Sequence, residues 1–322
     1  DYAYKTVIAL KHRGIDIPVV LDARASSDNP IIKEAEGLGI RILFGKCIGK
    51  VEGKRKASAI GICSVNGEGT IEELIPCNAI AVSGGWTPNV NLWSHCGGKL
   101  LWDSECGFYK PDPENTPIGR EGETNMLALG ACAGVFSNYD IQDQVPRKIN
   151  QLASRLKIKS KRYIETSIFS KEPEKTTKPI FVLPHGASKD KQKRMYIDFQ
   201  NDVKVSDLQL AVQEGFENVE HAKRYTTLGM ATDQGKTSNI NGIHVLSQSL
   251  GKPVDKIGHT TFRPPYKPIP LGLIAGQYAK KLFKPVRKTP IDKWNLLNNA
   301  IWEPVADWRR AYAYPKGSEG LE

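Results

Sequence analysis

Residues 17–45 read IPVVLDARASSDNPIIKEAEGLGIRILFG, and their pattern decides the fold. IPVVLDAR is a short, β-rich run of the kind found in a buried parallel strand. Asn29-Pro30 then opens a helix, since proline suits the first helical turn, and PIIKEAEGLG stops at glycine. IRILFG is the next strand. Working outward, YAYKTVIALKHRG carries apolar residues at Val7, Ala9 and Leu10 and ends at Gly14, a helix with its stop signal. KCIGKVEG, SAIGICSV and EELIPCNAIAVSGG follow as strands joined by turns. Helix–strand–helix–strand and then a run of strands predicts an α/β, Rossmann-like dinucleotide-binding domain with an antiparallel insertion over residues 1–145.

Composition narrows the class. The chain has 322 residues, enough for two or three domains. It opens at Asp1 without a signal peptide and closes on GSEGLE. It is therefore expected to be a piece of a longer protein. No apolar run reaches the roughly 18 residues that a membrane helix needs, so no membrane partner is expected. None of the six cysteines forms a Cys-x-x-Cys pair, and a reduced, cytoplasmic setting is expected. The net charge is +10, yet residues 147–194 alone hold 14 Lys or Arg against 4 Asp or Glu. The excess thus belongs to one segment poor in aromatic residues. That composition fits a solvated connector over 146–194, with a helix near Ile149–Leu156, and not a nucleic-acid-binding face.

The rest divides in two. Residues 195–251 read as one strand, MYIDF, and three short helices. Ser206 is the expected cap of the first, with Gln209 in the capping-box position; the second begins near Asn218 and the third is SNINGIHVLSQSLG. Residues 252–322 are proline-rich and read as a strap toward a further domain. GMATDQGKTSN (residues 229–239) resembles a phosphate-binding P-loop, but five residues separate its glycines where four are required, and a helix precedes it where a buried strand should.

Three places carry candidate chemistry. Asp22 ends a strand where a dinucleotide domain puts the carboxylate that accepts from ribose hydroxyls, favouring NAD over NADP; Arg24, two residues on, is the opposite signal. Gly84 and Gly85, in SGGWTP after the expected strand AIAV, let backbone approach a dinucleotide. Gly130-Ala131, after a strand in NMLALGACAGV, stand where two-dinucleotide flavoproteins carry Gly-Asp; the missing carboxylate puts FAD binding in doubt. Cys132 reads as a structural cysteine. His95 and Cys96 diverge as neighbours and have no third ligand at metal spacing.

Five stretches together carry a resemblance. FQNDVKVSDLQLAVQEGFENVEHAKRYTTLGMATDQGKTSNINGI (199–243) resembles the alpha subunits of heterotetrameric sarcosine oxidase. DYAYKTVIALK, VVLDARA, IPCNAIAVSGGWTPNVNLWSHCGGKLLWD and TTFRPPYKP resemble them in the same order. The resemblance implies a subunit of an oxidoreductase acting on a CH–NH donor. Such an enzyme demethylates sarcosine to glycine, hydrogen peroxide and formaldehyde, or 5,10-methylene-tetrahydrofolate. It further implies NAD in the dinucleotide domain, FMN at the interface with a beta subunit, and tetrahydrofolate in an aminomethyltransferase-like domain outside this chain. Beta, gamma and delta subunits are the implied partners, and the fragment alone is expected to be inactive. Alternatives are a related amine or opine dehydrogenase, or a structural subunit with a vestigial nucleotide site.

The resemblance also explains residues 195–251. They look like the small iron–sulfur domain of bacterioferritin-associated ferredoxins, in which Cys-x-Cys ends the strand and two more cysteines lie in the glycine turn. Here those places hold Asp198-Phe199-Gln200 and Thr232-Asp233-Gln234. No cysteine occurs beyond Cys132, so no such cluster is expected, since thiolates hold it. The loop could retain an anion instead. Lys236, Thr237 and Ser238 add donors to a glycine turn at a helix start, which would suit the FMN phosphate.

Overall fold

The computed structural model describes residues 2–124, 126–158, 169, 179–278, 282 and 284–316. They fall into two units, Asp1–Tyr266 and Lys267–Glu322.

The first unit opens as expected. Helix α1 (Tyr2–His12) precedes β1 (Val20–Asp22), α2 (Pro30–Gly37) and β2 (Ile42–Phe44). β1 and β2 pair in parallel, Asp22 opposite Phe44. Asn29 caps α2 by accepting from the Ile31 amide at 3.2 Å. Tyr4 and Ile8, four residues apart on α1, pack with Ile32, Ala35 and Ile40; Val7 packs against the same cluster, while Ala9 is exposed. Strands β3 (Lys46–Gly53), β4 (Ala57–Ser64) and β5 (Glu73–Pro76) form the antiparallel insertion. Ile60, Ile62 and Ile75 on its inner face pack against Val19, Leu21 and Leu43 of the parallel pair.

Two expected strands do not form. Residues 79–82 (AIAV) and 126–129 run without a ladder, and Val82 is 86% exposed. A strand is stabilised by its neighbours, and among the described residues β1 has only β2 beside it. Helix α3 (Asn91–His95) leads to the hairpin β6 (Leu100–Asp103) and β7 (Phe108–Pro111), and a 3₁₀ turn spans Gly130–Ala133.

Helix α4 (Asn138–Arg155) corrects the expected connector. It starts eleven residues earlier than the predicted helix and runs through residue 145, because Ser137 caps it and Pro146, though inside it, does not end it. Proline removes one backbone donor from a helix interior, and the seventeen other residues hold the turns on both sides.

The small helical region follows the sequence closely. After α5 (Lys189–Gln192), β8 (Tyr196–Asp198) pairs with β9 (Val203–Lys204). Helices α6 (Val205–Gln213), α7 (Val219–Thr226), α8 (Asn239–Leu250) and α9 (Val254–Ile257) surround a core of Leu208, Ala211, Val219, Ala222, Leu228, Ile243 and Leu246. The cap of α6 differs from expectation. Lys204 is the N-cap and its amide donates to Asp207 at 2.9 Å, whereas Gln209 bonds Gln192. This core does not stop at residue 195. Tyr109 of β7 is buried within it, with Leu100, Trp102 and Val182 packed around. The Tyr109 hydroxyl donates to the Gly258 carbonyl at 3.0 Å. Hairpin and helices therefore share one core inside the first unit.

The second unit holds α10 (Leu271–Ala275), β10 (Arg287–Lys288), α11 (Asp292–Leu297), β11 (Ile301–Val305) and β12 (Trp308–Ala313), with sheet order β10-β12-β11. Arg309 on β12 forks onto the buried Asp292 at 2.9 and 2.6 Å. Among the described residues, no helix is long and apolar enough to cross a membrane.

Candidate functional site

The segments singled out in the dinucleotide half meet at the first turn of α1. Tyr4, buried on the core face, donates its hydroxyl to Asp22 Oδ2 at 2.9 Å. Arg24 reaches the same carboxylate three ways. Its amide and its Nε bond Oδ1 at 3.0 Å each, and its Nη2 bonds Oδ2 at 2.7 Å. The Asp22 and Arg24 side chains are only 10% and 14% exposed. Burial pushes the Asp22 carboxyl up, but the bonds from Arg24 and Tyr4 outweigh it and hold the group below its ordinary value. Burial, with the adjoining carboxylate, drives the Tyr4 hydroxyl up.

Tyr2, the first residue of α1, touches the SGGWTP segment and the loop that follows the Gly130 turn. Its ring meets Trp86 edge-on, centroids 6.0 Å apart, and its hydroxyl donates to the Phe136 carbonyl at 3.4 Å. Gly84 and Gly85 beside Trp86 are exposed, and a Cβ at either would meet nothing within 4 Å. Gly130 is buried at φ +65°, starting the turn toward Phe136; Ala131 is exposed. Cys132 Sγ bonds the Leu129 carbonyl at 2.9 Å, in keeping with a structural role. The start of α1, the exposed glycines and the exposed Trp86 side chain thus lie side by side. Asp22 suits a dinucleotide less simply than its place at a strand end implies, because its oxygens already hold four donors. Tyr4 was missed by sequence reasoning. The signal was its i, i+4 spacing to Ile8, which puts it on the buried face below the tip of β1.

The second candidate is the loop before α8. Asp198, only 2% exposed, accepts from the amides of Gln200 (2.9 Å), Asn201 (3.1 Å) and, across the fold, Gly229 (2.8 Å). Gln200 accepts from the Asp233 amide at 3.3 Å, and Asn201 donates to the Thr227 carbonyl at 2.9 Å. Strand end and glycine turn are thus joined directly by carboxylate and amide side chains. Asp233 in turn takes the Gly235 amide (3.0 Å) and the Thr237 hydroxyl (3.2 Å). Lys236 donates to the Tyr266 carbonyl at 2.7 Å and lies 4.3 Å over that ring. Ser238 is fully buried, and its hydroxyl is without a partner. Of the three expected anion donors, then, Thr237 faces a carboxylate, Ser238 is enclosed, and Lys236 lines a small cavity of about 40 Å³ with Tyr266, Asn239 and His259. The three are adjacent in sequence but do not converge on one point, and a phosphate here would have to displace Asp233. Among the described residues, no three His, Cys, Asp or Glu side chains are grouped as metal ligands.

The fold defines an α/β protein in which a parallel strand pair with an antiparallel insertion precedes a small helical module. Residues 192–277, which contain that module, match the family model described as Sarcosine oxidase A3 domain. The alpha subunit of sarcosine oxidase from Rhizobium meliloti (strain 1021) is 31% identical over 320 residues, covering 99% of this chain and 30% of the relative. That from Corynebacterium sp. (strain P-1) is 30% identical over 341 residues, covering 100% and 33%. Along its whole length, then, the chain is similar to sarcosine oxidase alpha subunits, as the five quoted stretches led us to expect. It spans about a third of the length of these curated relatives. A solved structure of L-proline dehydrogenase from P. horikoshii overlaps 80% of this chain and 50% of its own, at 21% identity and a TM-score of 0.49.

Proposed function

We propose that this chain is part of an alpha subunit in a sarcosine oxidase, an oxidoreductase that acts on the CH–NH bond of sarcosine. The products would be glycine, hydrogen peroxide and formaldehyde, or 5,10-methylene-tetrahydrofolate where folate is bound. The single observation that supports this best is the similarity to sarcosine oxidase alpha subunits along the entire chain. In this reading the chain supplies structure and cofactor contacts, and amine oxidation takes place at flavin held with a beta subunit; gamma and delta subunits complete the assembly.

The surface at the first turn of α1 would take NAD. Asp22 and Arg24 would stand at the ribose, Gly84 and Gly85 along the backbone approach, and Gly130 and Ala131 at the far wall. FMN would sit at the interface with the beta subunit, its phosphate toward Lys236. Thr237 would join only if Asp233 turned away, and Ser238 only if the core around it opened. Tetrahydrofolate would belong to the aminomethyltransferase-like domain.

The test is to purify the full-length protein with its co-expressed neighbours, add sarcosine and follow hydrogen peroxide. Peroxide formation that saturates with sarcosine supports the reading. Bound flavin without peroxide would favour a relative acting on another secondary amine. A second reading, a vestigial nucleotide site, is favoured by the occupied oxygens of Asp22. Absence of NAD binding in an active assembly would select it. For the FMN contact, Lys236→Ala should lower the FMN content of the purified assembly, and unchanged content would remove Lys236 from the site.

A further inference from the structure

We propose that the cleft between α5, α6 and α8 binds the base of an adenine mononucleotide, with the phosphate turned toward Lys189. The cleft is separate from the places read for NAD and FMN: none of its lining residues belongs to the segments of Asp22, Gly84, Gly130 or Lys236.

The volume is about 200 Å³. A dry cavity of about 150 Å³ accepts a benzene ring, so a bicyclic base has room here. Part of the wall is apolar: Val205 on α6 and Val245 on α8 are buried, and Val182 packs against the same core. The rest is polar, with Gln192 on α5, Gln209 on α6, Gln248 on α8, and His185. No carboxylate, ammonium or guanidinium lines it. A charged group enclosed there would find no counter-charge, and a hydrocarbon would leave the amides without partners.

Two of the amides are held in place. Gln192 donates to the Ala187 carbonyl at 2.9 Å and accepts from Gln209 Nε2 at 2.7 Å. Each still has an N–H and an acceptor position to offer. The Gln248 and His185 side chains have no hydrogen-bond partner among the described residues. An amide places donor and acceptor side by side, and adenine presents the complementary pair at N6 and N7, which a glutamine meets with two bonds. The valines suit the apolar faces of the ring, and an imidazole such as His185 can stack on a base.

Positive charge stands next to the cleft. Four of the six residues 189–194 are basic. Lys191 is engaged by the Glu68 carbonyl and Lys193 by Asp190. Lys189 is exposed. It precedes Gln192 by three residues on α5, a spacing that puts both on one face of the helix. A phosphate leaving the cleft there meets an ammonium that the protein does not otherwise use. Part of the basic segment thereby gains a role beyond that of a solvated connector.

Calorimetric titration of the full-length protein, purified with its co-expressed neighbours, tests this with AMP and adenosine. The forms compared are the wild type, Gln209→Leu, Gln248→Leu, Lys189→Ala and Asp22→Asn. Both ligands should bind the wild type. Each glutamine variant should weaken both by about tenfold, the value of a matched amide–base contact. Gln248→Leu removes no bond within the protein, so it reads the contact even where Gln209→Leu loosens α5. Lys189→Ala should weaken AMP several-fold at low salt and leave adenosine unchanged. Asp22→Asn should alter neither. AMP that fails to bind at millimolar concentration, or that binds equally to wild type and both glutamine variants, would overturn the proposal. Loss of AMP binding in Asp22→Asn alone would also overturn it, by placing the nucleotide beside β1. An equal loss of AMP and adenosine in Lys189→Ala would overturn the assignment of the phosphate.

Discussion

Asp22 and Asp198 both end a strand, and both are ringed by N–H or O–H donors. They differ in what holds them. Around Asp22 most of the donors are side-chain groups, the Arg24 guanidinium and the Tyr4 hydroxyl. Around Asp198 three are backbone amides, one of them from Gly229, thirty-one residues away. Side-chain donors exchange by rotation; backbone donors leave only when the chain opens. The first carboxylate is therefore held mainly by side chains of its own neighbourhood, whereas the second is a structural tie across the fold. The two carboxylates are thus satisfied in opposite ways, one mostly by side chains and the other mostly by the backbone.

The largest effect should come from breaking the tie. Asp198→Ala leaves several buried amides unsatisfied and should lower unfolding free energy by about 3 kcal/mol in urea titration. A loss no greater than that of Asp22→Ala would erase the distinction between the two sites. Next in size is Gly242→Ala on α8. A Cβ there would lie 2.4 Å from Leu228 Cδ2 in the core under the glycine turn, and overpacking of that kind costs about 2 kcal/mol. A neutral result would mean that the core yields and that the tie is softer than its geometry.

Asp22→Asn should cost about 1 kcal/mol at neutral pH. Because the native Asp22 carboxyl is held below its unfolded value, its contribution is present above that unfolded value. It is lost as pH falls through the native one. The gap between wild type and Asp22→Asn in urea unfolding should consequently narrow as pH falls below about 4. A gap that persists there would assign the effect to shape and not charge. Smallest is Tyr4→Phe, about 0.5 kcal/mol, since Arg24 continues to hold the carboxylate; a larger loss would make Tyr4 the principal anchor.

Much of this architecture was legible. Asn29-Pro30, Asn218 and Gly251 mark helix ends by local chemistry, and all three stand where the sequence put them. Asp22 lies at a strand tip because a run of Val19, Val20 and Leu21 needs a parallel neighbour. What was illegible depended on distant partners. AIAV looks like a strand, but a strand also requires an edge to join. Tyr4 reaches Asp22 only once α1 lies across β1. The reach of Arg24 back to Asp22 was two residues away in sequence, yet it is a choice among rotamers that no spacing rule encodes. Lys236 was read as a free donor, and Tyr266, thirty residues on, holds it instead.

Tyr109 belongs by sequence to the antiparallel half and by burial to the helical one. Modular exchange between homologues is therefore constrained here. A chimera that imported residues 195–257 from a relative would bring a core shaped around another protein's hairpin. Recombination that respects this fold must carry residues 99–111 together with the helices, so the heritable module is discontinuous along the polypeptide.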